Sequence, residues 1–235
     1  MVDSVRKRAR ELASEAVAKG RPTQWFEQLY REAQAGEAVV PWDDREANPL
    51  LIRWLNAHQA ELLPGGAALD VGCGLGDNSA ELARRGFKVT AMDIAPSAIK
   101  AATERCGSIA DFVVGDALAL PVEWRGRFDL VVEIYTLQVL PPPERTTAAR
   151  SIADTVAMGG TLLLIARARD DGDPTGSMPW PLTRTEIESL ADERLKLLSI
   201  EDLIDHESPP VRRFVATFRV SGPSNTTPQR LGQQS

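Results

Sequence analysis

Hydrophobic positions recur at helical spacing in the first quarter of the chain and fall into short runs thereafter, so the pattern predicts a helical lead-in followed by a sheet. Val5 to Lys19 carries Val5, Leu12 and Ala16 among charged residues, which predicts a surface helix ended by Gly20 ahead of Pro22. A second helix is expected from an N-cap at Thr23 to Gln34, with Trp25, Phe26, Leu29 and Tyr30 on one face. Gly36 to Pro49 reads as a loop holding Pro41 and Trp42, and Leu50 to Leu62 as a third helix closed by Pro64-Gly-Gly66.

From residue 67 the apolar runs alternate with helical patterns, the signature of βαβ units and a mostly parallel sheet. Strands are predicted at Ala67 to Val71, Lys88 to Met92, Asp111 to Val114, Phe128 to Val132 and Thr161 to Ala166. Helices are expected between them at Asp77 to Arg85, Pro96 to Cys106 and Pro143 to Ala157, the last ended by Gly159-Gly160. A short helix near Thr183 to Ala191 and two strands, Leu195 to Ile204 and Arg212 to Val220, follow. Only Asp205 to Pro210 separates that final pair, too few residues for a parallel crossover, so the return is antiparallel. The expected organisation is one domain, with residues 1–64 as an N-terminal helical cap, 65–220 as the core and 221–235, rich in Ser, Thr, Pro and Gln, as a disordered tail.

Composition narrows the function. The chain has 235 residues, 43% hydrophobic and 26% charged, with net charge −6, and an acidic surface disfavours nucleic acid and anionic lipid. A small-molecule substrate is expected, with no nucleic-acid or membrane partner and a monomer or homodimer as the working form. The N-terminal stretch with Arg6, Lys7, Arg8 and Arg10 lacks the apolar core of a signal peptide, which predicts a cytoplasmic protein. Cys73 and Cys106 are expected as free thiols, and His58 and His206 form no metal set, so no metal is assigned.

The candidate chemistry starts at Asp70-Val-Gly-Cys-Gly-Leu-Gly76, where a strand turns into a helix through Gly72, Gly74 and Gly76. Glycines there let the backbone approach a ligand closely. The turn alone suits dinucleotides as well as S-adenosylmethionine (SAM). Asp77, where a dinucleotide turn has glycine or alanine, tilts the choice, because a carboxylate at the helix start repels a pyrophosphate. SAM has no phosphate, and its ribose diol, ammonium and sulfonium suit carboxylates. Asp93 ends the second strand 23 residues after Asp70, placed to accept both ribose hydroxyls, with Ile94 against the adenine and Ser97 starting the next helix. Asp116, just past the third strand, is placed to accept from the adenine amino group. Capping by Asp93 and a turn at Asp116 are the alternatives.

These strings, Leu69-Asp-Val-Gly-Cys-Gly-Leu-Gly76, Ala91-Met-Asp-Ile94, Val114-Gly-Asp116 and Phe128-Asp-Leu-Val-Val132, resemble the ordered motifs of class I SAM-dependent methyltransferases over about Trp25 to Val220. The resemblance implies a Rossmann-like, doubly wound α/β sheet of seven mostly parallel strands with an antiparallel last strand. It implies Asp70, Gly72 and Gly74 around the methionine part of SAM, Asp93 at the ribose, and Asp116 with Ala117 at the adenine. A finer likeness, through Trp25, Tyr30 and Gly36, Pro41-Trp-Asp43, Asn48-Pro-Leu-Leu51 and Met178-Pro-Trp-Pro-Leu-Thr183, is to the branch of thiopurine, thiol, halide and tellurite-resistance enzymes. There, N-terminal aromatics close over SAM. The chain departs from it at Asp70-Val-Gly72 and Glu133-Ile-Tyr135.

Trp25 and Trp42 are therefore expected at the cofactor, and Tyr30, Trp42, Tyr135 and Trp180 at the acceptor. Glu133, at the end of the fourth strand, is a candidate for binding the SAM ammonium, orienting the acceptor or acting as a base, with Tyr135 beside it. The expected reaction is in-line methyl transfer to a thiol, hydroxyl or other soft nucleophile, leaving S-adenosylhomocysteine (SAH). A SAM-binding regulator without catalysis and an NAD-dependent oxidoreductase are the competing readings.

Overall fold

The computed structural model describes residues 2–176, 178–205 and 209–221, the first five of these as backbone only. All of the expected tail beyond Ser221, and His206, lie outside the described residues. Helices α1 (Val2–Ala18), α2 (Trp25–Gln34) and α3 (Pro49–Ala57) precede an alternation of strands and helices. It runs β1 (Ala67–Val71), α4 (Asp77–Arg84), β2 (Lys88–Asp93), α5 (Pro96–Cys106), β3 (Asp111–Val114), β4 (Phe128–Ile134), α6 (Pro142–Asp154) and β5 (Val156–Arg167). Helix α7 (Arg184–Glu188) and strands β6 (Leu195–Ile204) and β7 (Arg212–Val220) complete it.

One seven-stranded sheet has the order β3-β2-β1-β4-β5-β7-β6. The pairs among β1 to β5 are parallel, and β7 runs antiparallel to both β5 and β6, as the short final loop requires. Helices cover both faces, so the central strands are apolar on both sides: Leu69, Val131 and Leu162 face one core, Ala68, Leu130 and Leu163 the other. The strand order reverses between β1 and β4, where an open α/β sheet forms its crevice.

The lead-in packs as predicted, with Leu12, Ala13, Trp25 and Leu29 buried together. Helix α2 then crosses the start of α5, where Ser97 donates to the Glu27 carboxylate through its backbone N at 2.9 Å and its hydroxyl at 2.8 Å. A helix that begins with Pro96 and has no side-chain cap of its own thus receives an acidic partner from another helix.

Several expected boundaries move, and three of the moves have a local cause. Gln24, not Thr23, precedes α2, and no side chain caps that end. Helix α3 stops at Ala57, five residues short, where the His58 ring stacks on Trp54 with centroids 4.4 Å apart and Nδ1 meets the Trp54 carbonyl at 2.9 Å. Gly159-Gly160 lies inside β5 rather than ending α6. The Thr155 carbonyl accepts from Arg127 and Phe128, which starts strand pairing at Val156. At Gly160 a Cβ would fall 2.9 Å from the carbonyls of Ala157 and Phe128, beside a register shift between Phe128 and Leu130, so the glycine accommodates the irregularity.

Candidate active site

A cavity of about 1040 Å³ opens at the carboxyl ends of the parallel strands, at the top of the range that small ligands occupy. The β1 turn forms its floor. Gly72, Gly74 and Gly76 all have positive φ, at 68°, 54° and 88°. A Cβ on Gly72 would collide with the Thr136 hydroxyl, and one on Gly74 would come within 3.0 Å of Tyr30 Oη. Gly76 serves packing instead, since a Cβ there meets Cys106 and Phe112 at 3.0 to 3.1 Å.

Asp93 ends β2 at the cavity with 6% exposure. Its two oxygens accept one backbone N–H each, Oδ2 from Gly74 at 3.0 Å and Oδ1 from Ala95 at 2.9 Å. A carboxylate offers about four acceptor sites, so capacity for a diol remains. Burial raises its pKa to about 6 against the lowering effect of those N–H groups. Ile94, Asp116 and Ala117 line the same end. Asp116 Oδ1 also accepts from Leu118 N at 2.9 Å, so it makes its turn while facing the cavity. Asp77 lies there too, its carboxylate 2.7 Å from Arg105 Nη2; that pairing softens the repulsion toward phosphate expected of it.

The N-terminal segment closes the cavity from above. Trp25, Phe26, Tyr30 and Trp42 line it, with Trp42 Nε1 donating to Tyr30 Oη at 2.8 Å. Burial holds the Tyr30 phenol well above its ordinary pKa, so the hydroxyl keeps its proton. Asn48 ties this segment down three times. Its backbone N donates to Asn78 Oδ1 at 2.8 Å, its Oδ1 accepts from Leu50 N at 2.9 Å to cap α3, and its Nδ2 donates to Tyr135 Oη at 3.1 Å. Tyr135 sits at φ 68°, a conformation costly for a non-glycine residue, with its ring in the cavity.

Four expected site residues do not line the cavity. Asp70 is 1% exposed and accepts from the Ser79 hydroxyl at 2.6 Å, joining β1 to α4, and burial raises its pKa to about 6. Ser97 is spent on Glu27. Trp180 donates its backbone N to the Gln138 carbonyl, while its neighbours Met178 and Pro179 reach the cavity. Glu133 is 1% exposed. Its Oε1 accepts from Thr136 N at 2.7 Å and Leu137 N at 2.9 Å, fastening the turn after β4, and Oε2 has no hydrogen-bond partner. Burial raises its pKa to about 7 against those bonds and the Arg145 charge.

Residues 68–160 match the family described as "Methyltransferase domain". A ubiquinone biosynthesis O-methyltransferase of Xanthomonas campestris pv. campestris is 38% identical over 122 residues, covering 50% of this chain and 48% of that protein. The chain thus spans about half the length of that curated relative. The likeness in fold extends beyond the matched residues. A Burkholderia thailandensis 1,6-didemethyltoxoflavin-N1-methyltransferase superposes with TM-score 0.65 at 20% identity, over 84% of this chain and 86% of that one. The [4+2]-cyclase SpnF superposes with TM-score 0.64 at 20% identity, over 86% and 97%.

The cavity also has lining residues that sequence reasoning passed over. Thr136 lies against Gly72 and donates its hydroxyl to the Val71 carbonyl at 3.1 Å. Arg167, Leu203, Asp205 and Arg213 come from β5, β7 and the end of β6, outside the matched segment. Only the adjacency of β5 and β7 brings them to the cavity, and no local motif marks it.

Proposed function

We propose that the protein is a SAM-dependent methyltransferase acting on a small molecule. The observation that carries this reading is one cavity with two chemically different ends that meet at the β1/β4 crevice. One end offers glycine backbone and the carboxylates of Asp93 and Asp116. Those groups fit ribose hydroxyls, an adenine amino group and positive charge, and they fit a diphosphate poorly. The other end, around Tyr135, is lined by side chains from β4 to β7.

When bound, SAM supplies a methyl group on a positively charged sulfur, already activated for displacement. The chain then has to align a nucleophile and exclude water. Asp93 grips the ribose, and Gly72 and Gly74 leave room for the methionine portion. Trp25, Tyr30 and Trp42 roof the site and provide aromatic faces for a cation. Tyr135, oriented by Asn48, positions the acceptor. Glu133 fastens the turn that carries Thr136, Gln138 and Val139 to the cavity and takes no part as a base. Asp70, Ser97 and Trp180 support the site from behind.

The name of the Xanthomonas relative speaks of O-methyl transfer, which supports a hydroxyl acceptor over the softer nucleophiles of the thiopurine and halide branch. A net charge of −6 supports a small molecule over nucleic acid. Among the described residues no helix is long and apolar enough to cross a membrane. We place the enzyme in the cytoplasm, as a monomer or homodimer. A SAM-binding protein without methyl transfer is the second reading, because the same fold is carried by a protein described as a [4+2]-cyclase.

Calorimetry with SAH, followed by mass spectrometry of a panel of phenols, thiols and amines incubated with SAM, tests both. SAH binding with a product 14 mass units heavier is the expected result, the increment of one methyl replacing a hydrogen (about 14 Da). Absence of SAH binding overturns the proposal. Binding without a methylated product selects the second reading.

A further inference from the structure

The turn after β4 brings to the cavity a side-chain amide of which the fold uses only one end. Gln138 is 4% exposed and lines the cavity. Its Oε1 accepts from Arg167 N, at the end of β5, at 2.7 Å, and its backbone carbonyl accepts from Trp180 N at 2.7 Å. An oxygen that receives a backbone N–H fixes which way round the amide stands. Nε2, with two N–H groups, finds no acceptor among the described residues. Turning the amide over would set Nε2 against Arg167 N, donor against donor. The backbone around it is clamped as well, since Thr136 N and Leu137 N donate to Glu133 Oε1 and the Arg145 guanidinium donates to the carbonyls of Leu137 and Leu140.

Apolar side chains surround this amide. Val139 and Leu140 follow it in the turn, Met178 and Pro179 precede the residue that binds its carbonyl, and all four line the cavity. Val139 and Met178 also pack against the buried cluster of α1 and α2 that holds Trp25. Trp25 is 2% exposed and lines the same cavity, and its Nε1 is buried with no hydrogen-bond partner. An indole N–H can only donate. This wall therefore holds two donors without acceptors, one from α2 and one from the turn. An unpaired donor in such surroundings costs free energy that a ligand lone pair recovers, whereas a ligand O–H or N–H at the same point would oppose donor to donor.

We infer that the methyl acceptor carries a carbonyl oxygen in addition to the atom that takes the methyl group, and that Gln138 Nε2 donates to that carbonyl. This rests on the methyltransferase reading above and narrows its substrate class to a hydroxylated ketone, or a similar carbonyl compound, with an apolar body. A neutral amide among apolar side chains suits a neutral carbonyl, which gives up less hydration on entering than an anion does. Bound there, the acceptor is held at a second point, which fixes the direction its nucleophilic atom faces. Gln138 is a specificity-determining residue. The displacement at the methyl group draws no proton from it.

The test uses the full chain saturated with SAH and matched probes, the ortho, meta and para hydroxyacetophenones each against the ethylphenol of the same substitution, titrated by calorimetry. Each pair differs in the carbonyl and keeps its shape and its hydroxyl. At least one ketone is expected to bind about fivefold or more tightly than its ethylphenol, the preference one neutral hydrogen bond supplies. Gln138→Glu keeps an oxygen for Arg167 N and replaces the donor with a second oxygen. It is expected to bring the preference to within about twofold or invert it, with SAH affinity held within about twofold. Gln138→Met, which has no donor, is expected to abolish the preference too, and a cooperative thermal transition shows that each variant is folded. Equal binding of ketone and ethylphenol in all three pairs, binding of no probe to the SAH-loaded wild-type protein, or a preference that survives in a folded variant overturns the inference. Failure of the wild-type chain to bind SAH overturns the methyltransferase reading instead, so the two failures are distinguishable.

Discussion

The two halves of the sheet build their ends of the cavity by different means. On β1, β2 and β3 the site is made of backbone and short carboxylates: glycines at positive φ, N–H groups fixed on Asp93, and Asp116 in its own turn. On β4, β5, β7 and β6 it is made of long side chains held by one another, with Tyr135 between Asn48 and Arg213 and the turn after β4 fastened by Glu133 and Arg145. A backbone-built end tolerates little change in the residues that shape it and presents the same groups to any ligand. A side-chain-built end is reshaped by single substitutions, so specificity belongs there.

The strongest way to break that comparison is at Asp93. Asp93→Ala removes a carboxylate placed for two hydroxyls and strands the N–H groups of Gly74 and Ala95, so SAH affinity by calorimetry should fall about a hundredfold or more. Asp93→Asn, which keeps one acceptor oxygen, should lose less. A cooperative thermal transition in both variants separates lost binding from lost folding, and unchanged SAH affinity in a folded Asp93→Ala protein would refute the assignment.

Glu133→Gln sharpens the comparison on the other half. The folded protein holds the Glu133 proton up to a pKa of about 7, against an ordinary value of 4.5, so wild-type stability declines as pH rises through that interval and stays reduced above it. Glutamine keeps the acceptor for Thr136 and Leu137 without the charge. The variant should be more stable than wild type at pH 8, by ~3 kcal/mol if the whole shift is felt, and should lose the advantage near pH 4.5, as measured by urea unfolding. Its kcat should be unchanged. A hundredfold fall in kcat with SAH binding intact would make Glu133 the base.

Smaller effects finish the series. Tyr135→Phe deletes the hydroxyl that receives the Asn48 amide and should raise the acceptor KM about fivefold with SAH affinity unaltered; a changed SAH affinity instead would place Tyr135 at the cofactor. Ser97→Ala removes one of two bonds to Glu27 and should cost ~1 kcal/mol of stability, with SAH affinity held within about twofold. A larger loss of affinity would return Ser97 to the cofactor's own contacts.

The same division explains what could be read from the chain. Strands β1, β3, β6 and β7 match their predicted limits, because turn residues and apolar runs are local signals. Gly72, Gly74, Asp93 and Asp116 were legible for the same reason, each standing at a fixed place relative to a strand end. Glu133 and Trp180 looked functional by position, yet strand position does not say which face a side chain takes or whether a turn beyond it claims its oxygens. Arg167 and Arg213 were invisible, since they meet only through a pairing of strands 46 residues apart in the chain. Gly159-Gly160 misled because two glycines suit a strand irregularity as well as a helix end.

Asn48 joins the two halves. One amide side chain and its backbone connect Asn78, on the helix behind the glycine turn, to Tyr135, in the end of the cavity proposed for the acceptor. Filling either end therefore steadies a segment that the other ligand also needs, and the two bindings become thermodynamically linked. The factor by which SAH tightens the acceptor must equal the factor by which the acceptor tightens SAH, and Asn48→Ala should bring both toward one.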